Sequence, residues 1–358
     1  RRPGSTVRPK PVALSHRAVL THARTLDGLW PEQSDPHTGV SWLPLYHDMG
    51  LIGCLFPALI ASTVLTLLAP ESFVARPAAW LRTISRYRAS ISPAPNFAFA
   101  LANERIADGQ MDGVDLSCWR VAPNGAEPIA PDVLRAFERR FARWGLRPET
   151  LTPVYGLAEA SLALTFSDPG RRFRTRRFDR ARLARSGHAV SDPGGVELVA
   201  LGRPVPGTEL RIVADGDHAC PERRIGRVHA RGPSLMTGYL GMPEETARVL
   251  RDGWLDTGDL GFLDDGDLYL TGRAKDVVIL RGRNYDPAWF EEAAARTPGI
   301  RAGRVVAVGR RPDGSPGEQL WLFVEPGPAA RGEERELRLE RCRLEVLNAT
   351  GVAPDRIV

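Results

Sequence analysis

The chain has 358 residues, of which 43% are hydrophobic and 25% are charged. This composition supplies a large core and about two to three domains, and it excludes wholesale disorder. The formal net charge is +5, but the basic residues are scattered or gathered in one Arg-rich loop without interleaved aromatic side chains, so we expect no nucleic-acid partner.

The four cysteines are widely separated and have neither metal-binding nor redox spacing: Cys54, Cys118, Cys220 and Cys342. This spacing predicts a reducing, cytoplasmic location and no zinc site. The chain opens with charged residues that no apolar run follows, so we expect no signal peptide.

One uncharged stretch, residues 51–70, is long enough to cross a bilayer. Pro57 interrupts it, and no Lys, Arg, Trp or Tyr residue immediately flanks it to act as an anchor. A helix near 49–61 followed by a buried strand near 63–69 explains the stretch better. We therefore predict no membrane insertion.

Helical and strand-like runs alternate through residues 1–167. In chain order, the predicted elements are helix 18–29, strand 40–45, helix 49–61, strand 63–69, helix 77–87 and strands 90–92, 119–122 and 152–154. Such alternation is typical of a parallel α/β sheet. Ligands of these sheets bind beyond the carboxyl ends of the strands, where the polar turns of this chain fall.

The pattern changes twice in the second half of the chain. Residues 168–195 are rich in Arg and Gly and lack sustained periodicity, which predicts an inserted loop or small subdomain. Residues 196–274 consist of short strands between Gly, Pro and Asp turns, which predicts a small barrel or sandwich. Residues 277–358 form a small α+β domain, with strands at 277–280, 304–308 and 320–324 and helices at 287–295 and 333–347.

Two segments of the first half carry candidate chemistry. The run GSTVRPK ends at Lys10 and offers backbone amides, hydroxyls and a cation to a phosphate, although a disordered chain end would have the same sequence. His47 and Asp48 follow a strand. Asp48 is predicted to cap the next helix, whether or not His47 also contacts a substrate.

Three later turns point to a nucleotide. The turn within 121–129 can present backbone amides to a planar ligand. Tyr155 can stack on an aromatic base, and Glu159, at a predicted helix start, can ligate Mg²⁺ beside phosphates. Asp259 can accept both hydroxyls of a ribose, to which Arg273 can also donate. Each turn taken alone also fits a capped surface turn.

Five segments share their order and spacing with one known family: LPLYHDMGLIG, PNFAFALA, NGAEP, YGLAEAS and GRAKDVVILRGRNYDP. On these segments the chain resembles the adenylate-forming superfamily of acyl-CoA synthetases, luciferases and nonribosomal adenylation domains, and it is most similar to fatty-acyl-AMP ligases. The resemblance implies the adenylate-forming α/β fold, with these parts: an incomplete large domain at 1–167, an insertion at 168–195, a β-barrel-like subdomain at 196–274, a hinge at 275–276 and a truncated α+β domain at 277–358.

The resemblance also implies roles for single residues. The phosphates of ATP would be held by Ser5, Thr6 and Lys10. The adenine pocket would comprise Asn124, Gly125, Ala126, Glu127, Pro128, Tyr155 and Gly156. The ribose would contact Asp259 and Arg273. Glu159 would bind Mg²⁺, and it would be catalytic together with His47 and Lys10.

Other implied roles concern the acyl group and domain motion. His47 would lie near the opening of the acyl site, and its tunnel walls would include Phe97, Phe99 and Leu101. Lys275 and Asp276 would form the hinge about which the small domain rotates between half-reactions. Residues 168–195 would occupy the place of an insertion that limits this rotation, which favours an acyl carrier protein over coenzyme A as the acceptor.

The implied function is a fatty-acyl-AMP ligase. A fatty acid and ATP would form acyl-AMP and pyrophosphate, and the acyl group would pass to an acyl carrier protein for polyketide or lipopeptide synthesis. A long-chain acyl-CoA synthetase and a truncated pseudoenzyme or docking module are the alternatives.

Two departures from the family pattern bear on activity. Pro3, Val7 and Pro11 stand where relatives resemble Ser, Gly and Gly, and this change weakens or reshapes the phosphate cradle. The family's catalytic lysine would follow Val358, and neither Lys10 nor Lys275 is placed to replace it. We therefore expect poor adenylation by this chain alone.

Overall fold

The computed structural model describes residues 10–31, 36–214, 218–280, 283–310, 318–326 and 333–358. Its first part alternates helices and short strands. The helices are α1 (His16–Asp27), α2 (Asp48–Gly50), α3 (Phe56–Ile60), α4 (Pro70–Ala75), α5 (Ala78–Arg86), α6 (Asn96–Arg105) and α7 (Pro131–Phe141). The strands are β1 (Val12–Ala13), β2 (Thr38–Ser41), β3 (Val64–Leu67), β4 (Ala122–Asn124), β5 (Leu151–Gly156) and β6 (Ala163–Phe166).

A mixed sheet forms the centre of this part. β3 and β2 are parallel, Ile91 bridges β2 to the residue before β4, and β4 and β5 are parallel. β6 then pairs antiparallel with β5, and β9 (Arg203–Pro204) with β6. The predicted parallel α/β sheet is confirmed, although the segment 90–92 contributes only isolated bridges. Because β2, β4 and β5 run in one direction, the turns that follow them meet at one edge.

The uncharged stretch folds as a helix and a strand. α2 continues through a π-helical turn, Leu51–Leu55, into α3. The expectation that the following strand is buried was wrong: β3 pairs only with β2 in the described sheet, and Val64 is 63% exposed. Among the described residues, no helix is both long and apolar enough to cross a membrane.

An aromatic core lies between this sheet and the helices α5, α6 and α7. Trp80 packs edge-on against Trp119, with ring centroids 5.2 Å apart, and Phe99 packs edge-on against Phe137 at 5.0 Å. The buried Trp80 Nε1 donates to Ser92 Oγ at 2.8 Å, so the one polar atom of this ring is satisfied. These contacts fix the helices against the sheet and hold the strand ends in place.

The segment predicted as a loop or subdomain is a hairpin around a helix. It contains β7 (Thr175–Phe178), α8 (Arg180–Ser186) and β8 (Val196–Val199), and β7 pairs antiparallel with β8. The five arginines of its basic run, residues 171–177, form ion pairs with carboxylates: Arg171–Asp168, Arg172–Glu138, Arg174–Asp267, Arg176–Asp264 and Arg177–Glu197. The basic run is therefore explained by ion pairing within the fold.

A five-stranded antiparallel sheet follows. The elements of this region are β10 (Glu209–Val213), β11 (Gly226–Arg231), β12 (Gly238–Tyr239), α9 (Pro243–Val249), β13 (Leu250–Arg251), β14 (Trp254–Asp264) and β15 (Asp267–Arg273). The order is β10, β11, β14 and β13, with β15 also paired to β14, while β12 pairs with β1 instead. The described strands form an open sheet and not a closed barrel. The β14–β15 turn uses Asp265 and Gly266, whose φ angles of 55° and 76° suit a two-residue hairpin.

The last part is the predicted α+β unit. It comprises β16 (Val278–Leu280), β17 (Arg283–Tyr285), α10 (Pro287–Ala295), β18 (Ile300–Arg310), β19 (Gln319–Pro326), α11 (Glu333–Thr350) and β20 (Arg356–Ile357). β18 and β19 are antiparallel, and β20 lies parallel to β19. Its buried Phe290 belongs to the same core as Phe178 and Leu183 of the hairpin segment. This core runs across two of the predicted domain boundaries. The boundaries themselves stay a prediction.

Candidate functional site

A cavity of about 280 Å³ opens where β2, β4 and β5 end. It is lined by residues 47–49 after β2, by residues 125–126 after β4, and by residues 155–159 at the end of β5. Arg273 reaches it from β15. The structure thus brings together three of the turns singled out from the sequence.

The turn after β4 presents backbone to the cavity. A side chain at Gly125 would meet the Val154 carbonyl oxygen at 2.9 Å, so only glycine fits. Ala126 has a φ of 67°, which is unfavourable for alanine and indicates a turn held by its surroundings. Both residues line the cavity.

Three further residues predicted for the adenine pocket do not line the cavity, whereas Tyr155 and Gly156 do. Asn124 is fully buried, and its side-chain amide has no hydrogen-bond partner in the described part of the chain. Glu127 Oε1 instead accepts from the Phe97 backbone N–H at 2.5 Å, which caps α6. Pro128 is exposed.

Tyr155 is fixed by a carboxylate that lies 104 positions away in sequence. Its hydroxyl donates to Asp259 Oδ2 at 2.7 Å, and Arg273 Nε lies 2.9 Å from Asp259 Oδ1. Burial, and after it the Asp259 charge, raise the pKa of the Tyr155 hydroxyl well above its ordinary value. Asp259 is buried behind these partners, so Arg273, and not Asp259, faces the cavity.

Glu159 lies in a 3₁₀ turn, Ala158–Ala160, and not in the predicted α-helix. Its Oε1 accepts from the Tyr239 hydroxyl at 2.8 Å, and its main-chain oxygen accepts from the Met236 N–H at 2.8 Å. Burial, followed by the hydrogen bond to Glu159, raises the pKa of Tyr239. The carboxylate is therefore aimed by a tyrosine from β12.

Lys10 belongs to the same cluster without lining the cavity. Its Nζ lies 5.1 Å from the centre of the Tyr239 ring and forms an ion pair with Glu245 Oε2 at 2.7 Å. A contact between Lys10 and a phosphate would require this ion pair to open. Ser5 and Thr6, predicted for the same phosphate loop, lie outside the described residues.

The Glu159 carboxylate has one oxygen held by Tyr239 and one oxygen available to bind Mg²⁺. Glu159 Oε2 receives no hydrogen bond from the described residues, whereas Oε1 is held by Tyr239. In the described part of the chain, no three His, Cys, Asp or Glu side chains cluster around a common point. Proteins bind Mg²⁺ beside phosphates through one or two carboxylates, with water and phosphate oxygens completing the shell. The residues present fit such a shared site.

His47 and Asp48 share the predicted cap of α2. The Met49 backbone N–H lies 3.2 Å from His47 Nδ1 and 2.7 Å from Asp48 Oδ1. His47 lines the cavity with its side chain about half exposed, which places an imidazole at the opening.

Part of the cavity lining, its apolar end, is hydrophobic. This part comes from α1 and the turn after it, from the π-helical turn, and from β6 with the residue before it: Leu26, Trp30, Gly53, Leu162, Ala163 and Phe166. Trp30 packs edge-on against Phe166, with ring centroids 5.9 Å apart. None of these residues was predicted as part of a site, because hydrophobic positions on α1 and β6 read as ordinary core.

The residues predicted to wall an acyl tunnel lie elsewhere. Phe99 is fully buried in the aromatic core, and Leu101 packs against that core. Phe97 is 45% exposed and packs edge-on against Trp42. None of the three lines the cavity, since their rings and methyl groups serve the packing of α6.

A buried histidine supports the apolar wall. His22 on α1 is fully buried, and its Nε2 accepts from the Ala163 backbone N–H at 3.0 Å. Burial lowers its pKa to about 4, so the imidazole is neutral near pH 7. This residue was also missed from the sequence, where a lone histidine on a helix carries no signal.

The predicted hinge forms an exposed turn between β15 and β16. Lys275 and Asp276 are both exposed, and the Asp276 N–H donates to the Arg273 carbonyl at 3.0 Å. Beside it, the Asp286 carboxyl group packs on Gly272 and caps α10, and burial raises its pKa to about 7. The role of the turn as a hinge stays a prediction.

Residues 3–240 match the sequence profile of AMP-binding enzymes. The chain belongs to the AMP-binding enzyme family. This membership confirms the resemblance to adenylate-forming enzymes that the five segments indicated.

Named relatives refine this placement. A structure from a study of fatty acyl-adenylate ligases from E. coli and L. pneumophila superposes with a TM-score of 0.90 at 34% identity, covering 98% of this chain and 63% of that one. A 4-hydroxyphenylalkanoate adenylyltransferase of Mycobacterium tuberculosis is 35% identical over 97% of this chain and 58% of its own length. A medium-chain-fatty-acid–[acyl-carrier-protein] ligase, JamA, of Moorena producens is 35% identical over 85% and 54%. The chain thus spans less than two thirds of each relative.

Proposed function

We propose that this chain belongs to a fatty-acyl-AMP ligase, which activates a fatty acid with ATP and hands the acyl group to an acyl carrier protein. The single observation that carries the proposal is that one cavity has both polar and apolar lining. Its polar end is the lining by the turns around Gly125 and Glu159, and its apolar end is the lining that includes Trp30 and Phe166. An acyl-adenylate has the same two halves, a polar nucleotide and an apolar tail.

The polar end accounts for the nucleotide. We assign the adenine base to the space between the Gly125–Ala126 backbone and the Tyr155 ring, whose hydroxyl is held by Asp259. We assign the ribose and α-phosphate to the side of Arg273. The remaining predicted contacts, those of Ser5, Thr6, Asn124 and Lys10 with ATP, belong to the proposal on family resemblance alone.

Glu159 is the proposed ligand of Mg²⁺. When bound, the ion would neutralise charge on the phosphate oxygens. The chain contributes the orientation of the carboxylate, since Tyr239 and the Met236 amide hold two different oxygens of Glu159.

The apolar end accounts for the acid. A carboxylate oxygen of the substrate would form a bond to the α-phosphorus as the bond to the pyrophosphate oxygen breaks, and no proton is needed. Leu162 and Phe166 would exclude water from the tail, and Arg273 would face the charge that develops beside the α-phosphate. His47, at the opening, would contact the carboxylate side of the substrate.

The carrier-protein half of the proposal rests on the hairpin segment. Arg180 of α8 donates to the Ala349 carbonyl and lies 5.3 Å from the Trp289 ring centre. These contacts tie the segment to the C-terminal unit, and they support restricted rotation about Lys275 and Asp276. All four cysteines are free, which supports a cytoplasmic enzyme.

Calorimetry with a nonhydrolysable acyl-adenylate analogue tests the nucleotide and acyl halves together. We expect micromolar or tighter binding that ATP competes away. Failure of both ATP and the analogue to bind would overturn the proposal and favour the pseudoenzyme. Exchange of pyrophosphate into ATP by the whole protein, compared between fatty acids and 4-hydroxyphenylalkanoic acids, then identifies the acid.

Mass spectrometry tests the acceptor. When the whole protein is supplied with both coenzyme A and a phosphopantetheinylated carrier protein, we expect acyl-carrier product. A predominance of acyl-CoA would instead identify an acyl-CoA synthetase.

A further inference from the structure

We propose that Trp30 is the residue that sets acyl chain length, by closing the main cavity off from a second apolar cavity. This inference rests on the proposed function. The second cavity has a volume of about 40 Å³ and lies beneath β2 and β3. Four residues line both cavities and therefore form the wall between them: Trp30, Gly53, Ile91 and Pro93.

Three of these four residues cannot open the wall. Ile91 and Pro93 belong to the segment that crosses the centre of the sheet, where Ile91 bridges the strands on both sides. Gly53 has no side chain, and its Cβ position would lie only 2.7 Å from Leu162 Cδ2, so neighbouring atoms already fill that side. Trp30 is therefore the position in this wall at which a substitution can connect the two cavities.

The Trp30 side chain separates the two cavities and can be truncated without the loss of a hydrogen bond. It follows the end of α1 at Asp27, and its ring rests edge-on against Phe166. Its indole N–H has no hydrogen-bond partner among the described residues, in contrast to Trp80, which donates to Ser92. Packing alone holds the Trp30 ring across the gap.

The second cavity has a lining that suits the end of an alkyl chain. Its apolar wall includes Val40, Pro57, Ala58 and Leu65. The imidazole of His37, also in the wall, is held through Nδ1 at 2.9 Å from Ser90 Oγ and through Nε2 at 3.0 Å from the Pro31 carbonyl. Desolvation lowers the pKa of His37, which favours its neutral form. Asp27, at the end of α1, is the one acidic residue in the lining of this cavity.

The size of the second cavity sets the expected effect. A volume of about 40 Å³ holds roughly three groups of the size of a water molecule or methylene. Each buried methylene contributes ~0.8 kcal/mol, or about fourfold in affinity, so three contribute roughly 60-fold.

The test measures binding of acyl sulfamoyl-adenosines from eight to sixteen carbons to the full chain. In Trp30→Ala, we expect the chain length of tightest binding to increase by about three carbons, and analogues of that length to bind roughly 60-fold more tightly than to the unsubstituted chain. Trp254→Ala is the matched control, since Trp254 lines neither cavity, and its profile should match the unsubstituted chain.

A second substitution tests whether the space of the second cavity causes the shift in chain length. Ala58 lines only the second cavity, so Ala58→Leu should leave the profile unchanged alone and cancel the shift in the Trp30→Ala background. Trp30→Phe, which removes less volume, should shift the optimum by fewer carbons and serves if the alanine variant does not fold. An unshifted optimum in both Trp30 variants overturns the role of Trp30. Absence of binding to the unsubstituted chain overturns the proposed function itself.

Discussion

The hydrogen bond between Tyr155 and Asp259 joins the end of β5 to β14, and we expect it to stabilise the site measurably. The donor is a buried hydroxyl, the acceptor is a buried carboxylate, and the two oxygens are 2.7 Å apart. Hydrogen bonds to charged groups contribute about 1.5–3 kcal/mol. Because Arg273 remains beside Asp259 Oδ1 at 2.9 Å, the carboxylate is not left wholly unpaired in a Tyr155→Phe variant, and we expect a loss of about 2 kcal/mol.

Urea unfolding of Tyr155→Phe, Asp259→Asn and the double variant measures this interaction. We expect the summed losses of unfolding free energy in the two single variants to exceed the loss in the double variant by about 1.5 kcal/mol. The reason is that either substitution removes the same hydrogen bond. Tyr269→Phe is the matched control. Its ring is fully buried and stacked on Phe262, and its hydroxyl has no hydrogen-bond partner within the described chain. That variant should lose less than about 0.5 kcal/mol.

Two results would refute the reasoning about Tyr155. One is a pairwise energy below about 0.5 kcal/mol, which would mean that the two side chains act independently. The other is an equal loss in the Tyr155 and Tyr269 variants, which would mean that removal of any buried hydroxyl has the same effect.

Three further predictions concern proton and metal binding. The His22 pKa is about 4 in the folded chain against 6.5 when exposed, so the unfolded chain binds the extra proton and about 3 kcal/mol of stability is lost as pH falls from 6.5 towards 4. His22→Gln should flatten this decline in urea titrations at pH 7 and pH 5, and an unchanged slope would contradict the assignment. The Asp286 pKa is raised to about 7 from 3.8, so its ionisation destabilises the fold as pH rises. Asp286→Asn should raise the melting temperature at pH 8 but not at pH 4, and an equal gain at both would reject the cause given. Tyr239→Phe should weaken ATP binding three- to tenfold with Mg²⁺ present and not in its absence, since it frees the Glu159 carboxylate. Calorimetry that shows the same loss without Mg²⁺ would point to a general structural defect.

Much of the fold could be predicted because local patterns decide it. The spacing of Trp80, Leu81 and Ile84 defines the buried face of α5, and this helix begins and ends within about one residue of its predicted bounds. Strand–turn–helix order placed His47 and Tyr155 at strand ends, and the parallel arrangement then brought them to one edge of the sheet. The errors also have local causes. β3 is as apolar as a central strand but lies at an edge, and apolar composition does not distinguish the two.

By itself, the sequence determined the family, the order of elements and the turns that surround the nucleotide end, because each depends on residues close together in the chain. Only the tertiary structure decided which side chains hold those turns. Tyr239 meets Glu159 across 80 positions, and Trp30 meets Phe166 to build the apolar end. Periodicity shows that a position is buried but not what it is buried against. For the same reason, the core residue Phe99 was predicted to line the acyl site, while the cavity wall formed by α1 and β6 was missed.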